Sequence, residues 1–478
     1  MRSRLGTGTR TRTRTPHARR ARRARRTRGT AAKVAATATV SALVLGLGAC
    51  GGDDSDDKGN NGKDGGGGKE SAATVQLPKL DGEKVSVAAV WGGSERKVFL
   101  EVLDEFEKRT GAEVSFVPAQ DPIISFLESK VAGGQPPDVA MLPQVGAIEQ
   151  AVANKWAKPV GPEAQKELDK NYAQGWQKLG AVDGKQYGVY FKAANKSLVW
   201  YNTAVFDNAG VEEPKTWDEF MQTAQTVYDS GVTPLSVAGA EAWTLTDWFE
   251  NIYLSQAGPQ KYDQLAKHEI KWTDPSVEKA LTTLGGLFGK KGFIADNALQ
   301  TEFPASVKQT FTGGDQPKAG MVFEGDMVSL SISETKAKVG TDAKVFPFPA
   351  VGDGPPAVVG GDAAVALKDS KGAQALLTYF ASPDAARIWA QAGGFVSPNK
   401  GLDLKAYPND VQRGIADDLI KAGDDIRYDM SDQAPQSFGG TPGKGEWKAL
   451  QDFLKNPKNV AGTQQTLEDA AAKAYKKS

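Results

Sequence analysis

Residues 84–117 read KVSVAAVWGGSERKVFLEVLDEFEKRTGAEVSFV, and the order of patterns in this stretch decides the fold. KVSVAAV (84–90) is a short β-branched run that reads as a buried strand. Val98, Phe99, Val102, Leu103 and Phe106 then recur at helical spacing, and Gly111 supplies the stop. AEVSFV (112–117) returns as a strand, PIISFLESKVAGG (122–134) as a helix, and PPDVAML (136–142) as a third strand. This alternation predicts a parallel sheet with right-handed crossovers. In such sheets ligands bind beyond the carboxyl ends of the strands. Trp91 to Glu95 and Pro143 to Gly146 lie at two such ends.

The pattern continues toward the C-terminus with the same vocabulary. Thr216 and Glu219 form a capping-box pair that opens a helix. SGVTPLSVAG (230–239) turns back as a strand, and helices follow around 247–256 and 276–288. AGMVFEGD (319–326) reads as a strand ending in a polar loop, and residues 343–369 as a return to sheet. Ser382 and Pro383 begin a helix as N-cap and first helical residue. The remainder reads as mostly helical.

The first eighty residues differ in kind. Residues 1–49 hold 13 basic side chains and no acid, and 34–47 are apolar or small. A basic region, an apolar run of roughly fifteen residues and a small-residue cleavage site are the order of a secretory signal. The run is too short for a spanning helix, which needs about 20 apolar residues. LGAC (47–50) ends it, with the only cysteine of the chain. The tetrapeptide resembles the lipobox of bacterial lipoprotein precursors, which implies that Cys50 is lipidated and becomes the new N-terminus. Residues 50–83 then open with a glycine-rich, acidic stretch that reads as a flexible tether. Its roughly 33 residues would span about 30 Å on average.

With 58 basic and 58 acidic side chains in the whole chain, residues 50–478 carry a formal charge of −13. That argues against nucleic acid as a partner. No cysteine follows Cys50, so the stability of the folded body must come from core size, and about 400 residues predict two lobes.

Familiar catalytic patterns fail one by one. GGGGKES (65–71) has Glu70 where a phosphate-binding loop needs Ser or Thr, and no strand precedes it. Ser94 and Lys97 fit S-x-x-K without its partner triads. His17 and His268 are the only histidines, too few for a common zinc site, so no metal and no cofactor is expected. What stands out is Trp91, Trp243, Trp248 and Trp447 beside glycines or acids, in WGGSE, GAEAWTLTDWFE and GGTPGKGEW. A sugar has C–H faces and hydroxyl edges, and flat apolar rings beside acids and amides suit it. Trp156, Trp200, Trp217 and Trp389 sit in apolar patterns and read as core.

From Lys84 to Tyr475 the chain resembles the extracellular solute-binding proteins of carbohydrate ABC importers, the family that includes maltose-binding protein. The resembling stretches are FEKRTGAEVSF, KVAGGQPPDVAMLPQVG, DGKQYGVYFKAANKSLVWYN, PKTWDEF, WTLTDWFENIYL, MVFEGD, GGDAAVALKDS, SPDAARIWAQAGGFVSPNK and SFGGTPGKGEW. The last few are similar to an α-glucoside subgroup. The resemblance implies an α/β fold of two lobes, each a mainly parallel sheet flanked by helices, joined by a crossing hinge. It puts 84–191 with 345–392 in the first lobe and 195–343 with 396–478 in the second. Trp91, Gly93, Ser94, Glu95, Gln144, Gly361 and Asp362 would face a ligand from the first. Glu241, Trp243, Asp247, Glu324, Asp326, Asp432, Phe438 and Trp447 would face it from the second. Where the maltose-binding branch has an aromatic residue after GPDI, this chain has MLPQVG (141–146), so maltodextrin specificity does not carry over.

The expected function is that of a monomeric receptor without catalysis. Anchored by lipid at the outer face of the cytoplasmic membrane, it captures a mono- or oligosaccharide and delivers it to permease subunits whose ATPase is a separate chain. Two rival classes fit the same residues: an extracellular glycoside hydrolase or lyase, and a bilobal receptor for a non-sugar solute.

Overall fold

A computed structural model describes residues 74–478 apart from 121, 353, 424, 425, 477 and 478. The signal, Cys50 and the tether as far as 73 lie outside the described residues. Among the described residues there are twelve strands: β1 Lys84–Ala89, β2 Glu113–Pro118, β3 Val139–Leu142, β4 Ala181–Val182, β5 Lys185–Gln186, β6 Gly188–Asn195, β7 Leu198–Asn202, β8 Leu235–Ser236, β9 Met321–Phe323, β10 Ala343–Pro347, β11 Val358–Ala366 and β12 Arg427–Tyr428.

The opening stretch folds as its pattern predicts. The helix Gly93–Thr110 buries Val98, Phe99, Val102, Leu103 and Phe106 and stops at Gly111, which takes φ 80° and donates its N–H to the Glu107 carbonyl. That left-handed conformation favours glycine. β1 pairs in parallel with both β2 and β3. The sheet runs β12-β11-β3-β1-β2, with β6 also on β11. β11 is antiparallel to β3 and β6 and parallel to β12.

The second sheet runs β10-β7-β9-β8. Here β7 is antiparallel to β9 and β10, and only β8 and β9 are parallel, so this sheet is mixed rather than mainly parallel. The reason is connectivity: β7 brings the chain in from the first sheet and β10 leads it back out, so the two run in opposite directions. Helices flank both sheets, and among the described residues no helix is long and apolar enough to cross a membrane.

Each sheet organises its own aromatic core. Phe99 is fully buried, its ring centroid 4.7 Å from Trp91, 5.9 Å from Phe380 and 6.0 Å from Trp389. On the other side Trp248 packs 4.5 Å from Phe323 and 5.7 Å from Phe348. Trp200 and Trp389 are core as expected, while Trp156 and Trp217 are half-buried against it.

Three boundaries fall elsewhere than the sequence suggests. β10 belongs to the second sheet, so the return to the first begins at Val358 and not at 345. Residues 396–428 pack into the first core through Leu402, Tyr407, Ile415, Leu419 and Tyr428, and β12 joins the first sheet. The second lobe therefore resumes only after Asp429. Residues 75–83, assigned to the tether, are docked on the first lobe. Leu80 is buried, the Val75 N–H donates to Asp384, and the Leu80 N–H donates to the Thr110 carbonyl. Ser382 also departs from its reading: its hydroxyl donates backward to the Tyr379 carbonyl and does not cap the helix Pro383–Ala392.

The chain crosses between sheets at three places that touch one another. Lys196 and Ser197 link β6 to β7, residues 348–357 link β10 to β11, and Asp429 follows β12. The Lys196 N–H donates to the Val358 carbonyl, the Val358 N–H to Ser197 Oγ, the Phe348 N–H to the Ser197 carbonyl, and the Asp429 N–H to the Val359 carbonyl.

Because Phe99 holds the first core together, Phe99→Ala should cost about 3–5 kcal/mol, read as a lower midpoint in denaturant unfolding. A loss under about 1 kcal/mol would show that this ring cluster repacks freely.

Candidate functional site

Between the lobes lies a cleft of about 180 Å³. Val90, Pro143 and Gln144 line it from the first lobe just beyond strand ends, and Gly361 and Asp362 from within β11. Lys192 and Ala194 reach it from β6, and Lys196 from the crossing segment. Trp243, Met327, Asp432, Gly440 and Trp447 close it from the second lobe. A larger open groove of about 800 Å³ runs past Asn202, Lys308, Phe311 and Glu334, on the flank of the second lobe.

Two buried lysines organise the electrostatics. Lys192 Nζ is 2.5 Å from Glu95 Oε1 and lies 5.6 Å above the Trp91 ring. Burial works against its charge, but Glu95 and Asp362 more than offset it and raise its pKa. Lys196 Nζ is hydrogen-bonded to Asp429, 3.3 Å from Asp247, 3.6 Å from Asp432 and 5.6 Å above the Trp243 ring. Its pKa too is raised well above the ordinary value, Asp247, Asp429 and Asp432 overcoming the penalty of burial.

One ammonium cannot neutralise all the carboxyls around it, so some of them keep protons. Burial, with the charge of Asp429 beside it, pushes Asp432 up to about 8. Burial likewise pushes Glu324 up to about 8 and Asp326 up to about 6. Asp429 goes the other way: the ammonium of Lys196 and hydrogen bonds from Lys196 and Ser431 outweigh its burial and hold it well below the carboxylate range. Burial also raises Asp247 well above the ordinary carboxylate range, so a protonated Asp247 can donate to Glu324, which lies against it. Among the described residues the Trp447 indole N–H and Asp326 Oδ2 have no hydrogen-bond partner. Buried donors without partners are rare, and Trp447 sits at the cleft.

The residues carried over from the resemblance divide into three groups. Gln144, Trp243, Gly361, Asp362, Asp432 and Trp447 line the cleft. Glu95, Asp247, Glu324 and Asp326 stand directly behind it; the first two hold its lysines, and Asp326 accepts the Asn195 N–H at 2.7 Å. The rest are engaged elsewhere. Trp91 is a core ring against Phe99 and Trp389. Phe438 packs in the second core 5.3 Å from Trp272. Glu241 accepts the Phe303 N–H at 2.7 Å. Gly93 is in the first turn of the helix Gly93–Thr110, and Ser94 Oγ donates to Glu334 Oε1 of the second lobe at 2.9 Å.

Sequence reasoning missed Lys192 and Lys196. Their signal was present in VYFKAANKSLVWY: lysines inside a run of buried residues are almost never placed there without partners.

Donors, acceptors and two indole rings around a small volume suit a compact polar solute. The carboxyls of Asp432 and Glu324 also make the empty protein sensitive to pH. Both carry pKa values near 8 when folded against about 4 when unfolded. The folded state therefore holds more protons across that window, and the stabilisation, complete below about pH 4, is lost as pH rises through 8. The unfolding midpoint should be higher at pH 6 than at pH 9, and Asp432→Asn should flatten that slope. An unchanged slope in the variant would assign the proton to another group.

The model of the family "Bacterial extracellular solute-binding protein" matches residues 91–387. The osmoprotective compounds-binding protein GgtB of Synechocystis sp. is 34% identical over 389 residues, covering 78% of this chain and 89% of that one. The alpha-glucosides-binding periplasmic protein AglE of Rhizobium meliloti is 30% identical over 411 residues, covering 82% and 88%. Among solved structures, the bacterial solute receptor AcbH shares the fold at a TM-score of 0.71 and 20% identity, over 82% of this chain and 99% of that one. A family match over more than half of the chain, and a two-sheet architecture crossed three times around a cleft, make this chain a member of the bacterial extracellular solute-binding proteins.

Proposed function

We propose that the chain is the substrate-binding component of an ABC sugar importer, taking a monosaccharide or short oligosaccharide, an α-glucoside first, into the cleft without turning it over. The observation that carries this is the lining itself. Trp243 and Trp447 offer flat faces, while Lys192, Lys196, Gln144, Asp362 and Asp432 offer donors and acceptors from both lobes. A volume of about 180 Å³ is below the roughly 300–1,000 Å³ of drug-sized pockets, which favours a short sugar. The names of the relatives support the class: AglE is named for alpha-glucosides and GgtB for osmoprotective compounds.

Delivery to permease subunits with a separate ATPase, and a monomeric receptor held at the outer membrane face by acyl chains on Cys50, complete the reading. Two acyl chains anchor stably where one is marginal. Contacts from both lobes give the solute its preference for the closed state, and that preference is what drives closure.

Titration calorimetry with mono-, di- and trisaccharides, polyamines and inorganic anions tests the class. Heat from an α-linked disaccharide, with one binding event per chain and no product after long incubation, is the expected result. Turnover would make the protein a hydrolase or lyase, and heat from a polyamine alone would make it a receptor for a cationic solute. For the sugar that binds, Trp447→Ala should weaken affinity tenfold or more, about 1.4 kcal/mol, because it removes a stacking face and an unpaired donor. Equal affinity in the variant would take Trp447 out of the site.

A further inference from the structure

Lys196 does two jobs that are separate in most of the molecule. Its backbone N–H and the backbone and hydroxyl of Ser197 hold the first and second crossing segments together at Val358 and Phe348. Its side chain reaches the third crossing at Asp429, grips Asp247 near the start of the helix Trp243–Ala266 and approaches Asp432. The same ammonium also lines the cleft under the ring of Trp243. Gly360 clears its path, since a Cβ there would stand 2.8 Å from Lys196 Cε.

A buried ion pair is weak evidence for stability, because desolvation offsets most of its attraction. Its best-attested use is to fix one arrangement against others. At the crossing of a two-lobed protein the arrangement to be fixed is the angle between lobes, which hinges absorb in a few such residues. We infer that Lys196 is a positioning residue that ties all three crossing segments to the floor of the cleft, so that filling the cleft and setting the lobe angle draw on one ammonium group.

The inference needs the two-lobed fold and no particular solute. A failed sugar titration leaves it standing, and its own failure leaves the sugar reading standing. The test is electron-electron distance measurement without sugar, on the full chain carrying Cys50→Ser and spin labels at Asp104→Cys and Asp229→Cys. Both positions are exposed, one on each lobe. Lys196→Met should add a second population of label distances that the parent lacks, and Lys196→Arg, which keeps the cation, should remove it again. Lys196→Met leaves Asp429 as a buried unpaired charge and is prone to unfold, so the double variant Lys196→Met with Asp429→Asn is measured beside it, and the same added population is expected there. A parental distribution in the folded variants lacking Lys196 overturns the proposal. So does loss of cooperative unfolding in the double variant, which would assign the lysine to stability alone.

Discussion

The structure depends on burying one cation among too many carboxyls at the place where the chain changes lobes. Lys196 faces Asp247, Asp429 and Asp432, with Glu324 behind them. Four ionised carboxylates in so little water would cost far more than one ammonium returns. The resolution is unequal sharing. Asp429 takes the direct hydrogen bond and stays charged, while Asp432 and Glu324 retain protons to near pH 8. The cleft consequently offers the Lys196 cation beside the protonated carboxyl of Asp432, with the charged Asp429 behind them. A neutral polyol can satisfy such a mixture of donors and acceptors without bringing a charge of its own.

The tryptophans show how the same residue type is assigned to different work by its surroundings. Trp248 and Trp389 are wrapped by other rings and serve the two cores. Trp91 looks like a cleft residue from its place at a strand end, but its edge-on contacts with Phe99 and Trp389 hold it in the first core, and Lys192 lies above it. Its contribution to the cleft is to steady a lysine. Trp243 and Trp447 keep a face toward the space between the lobes.

Local patterns were legible in the sequence and distant partnerships were not. The strand-helix-strand opening, the stop at Gly111 and the capping box of Thr216 and Glu219 each depend on residues a few positions apart, and each appears as read. The placement of β10 in the second sheet depends on its pairing with β7, about 145 positions earlier, which no local pattern encodes. The docking of residues 75–83 was hidden because Val75, Leu77 and Leu80 form too short an apolar series to stand out after a glycine-rich run. The resemblance found the neighbourhood of the site but could not tell a cleft side chain from the one behind it. Lys196 went unread for the same reason as β10: its partners lie 51 and 233 residues away.

The two lobes approach each other closely at two places. At one, Ser94 of the first lobe bonds Glu334 of the second, and Lys308 holds that carboxylate from behind at 3.1 Å. At the other, a Cβ on Gly440 would stand 2.3 Å from Gln144 Nε2, and one on Gly146 would stand 2.6 Å from the Ala434 carbonyl. Real Cβ contacts essentially never come so close, so bare backbone is what lets the segment after Asp429 lie against the first lobe. A side chain at Gly146 would have to push the Ala434 backbone away, whereas the glutamine amides beside Gly440 end flexible side chains that can swing aside. The close approach of the lobes beside the cleft thus depends on bare backbone at Gly146 as much as on the residues that line the site.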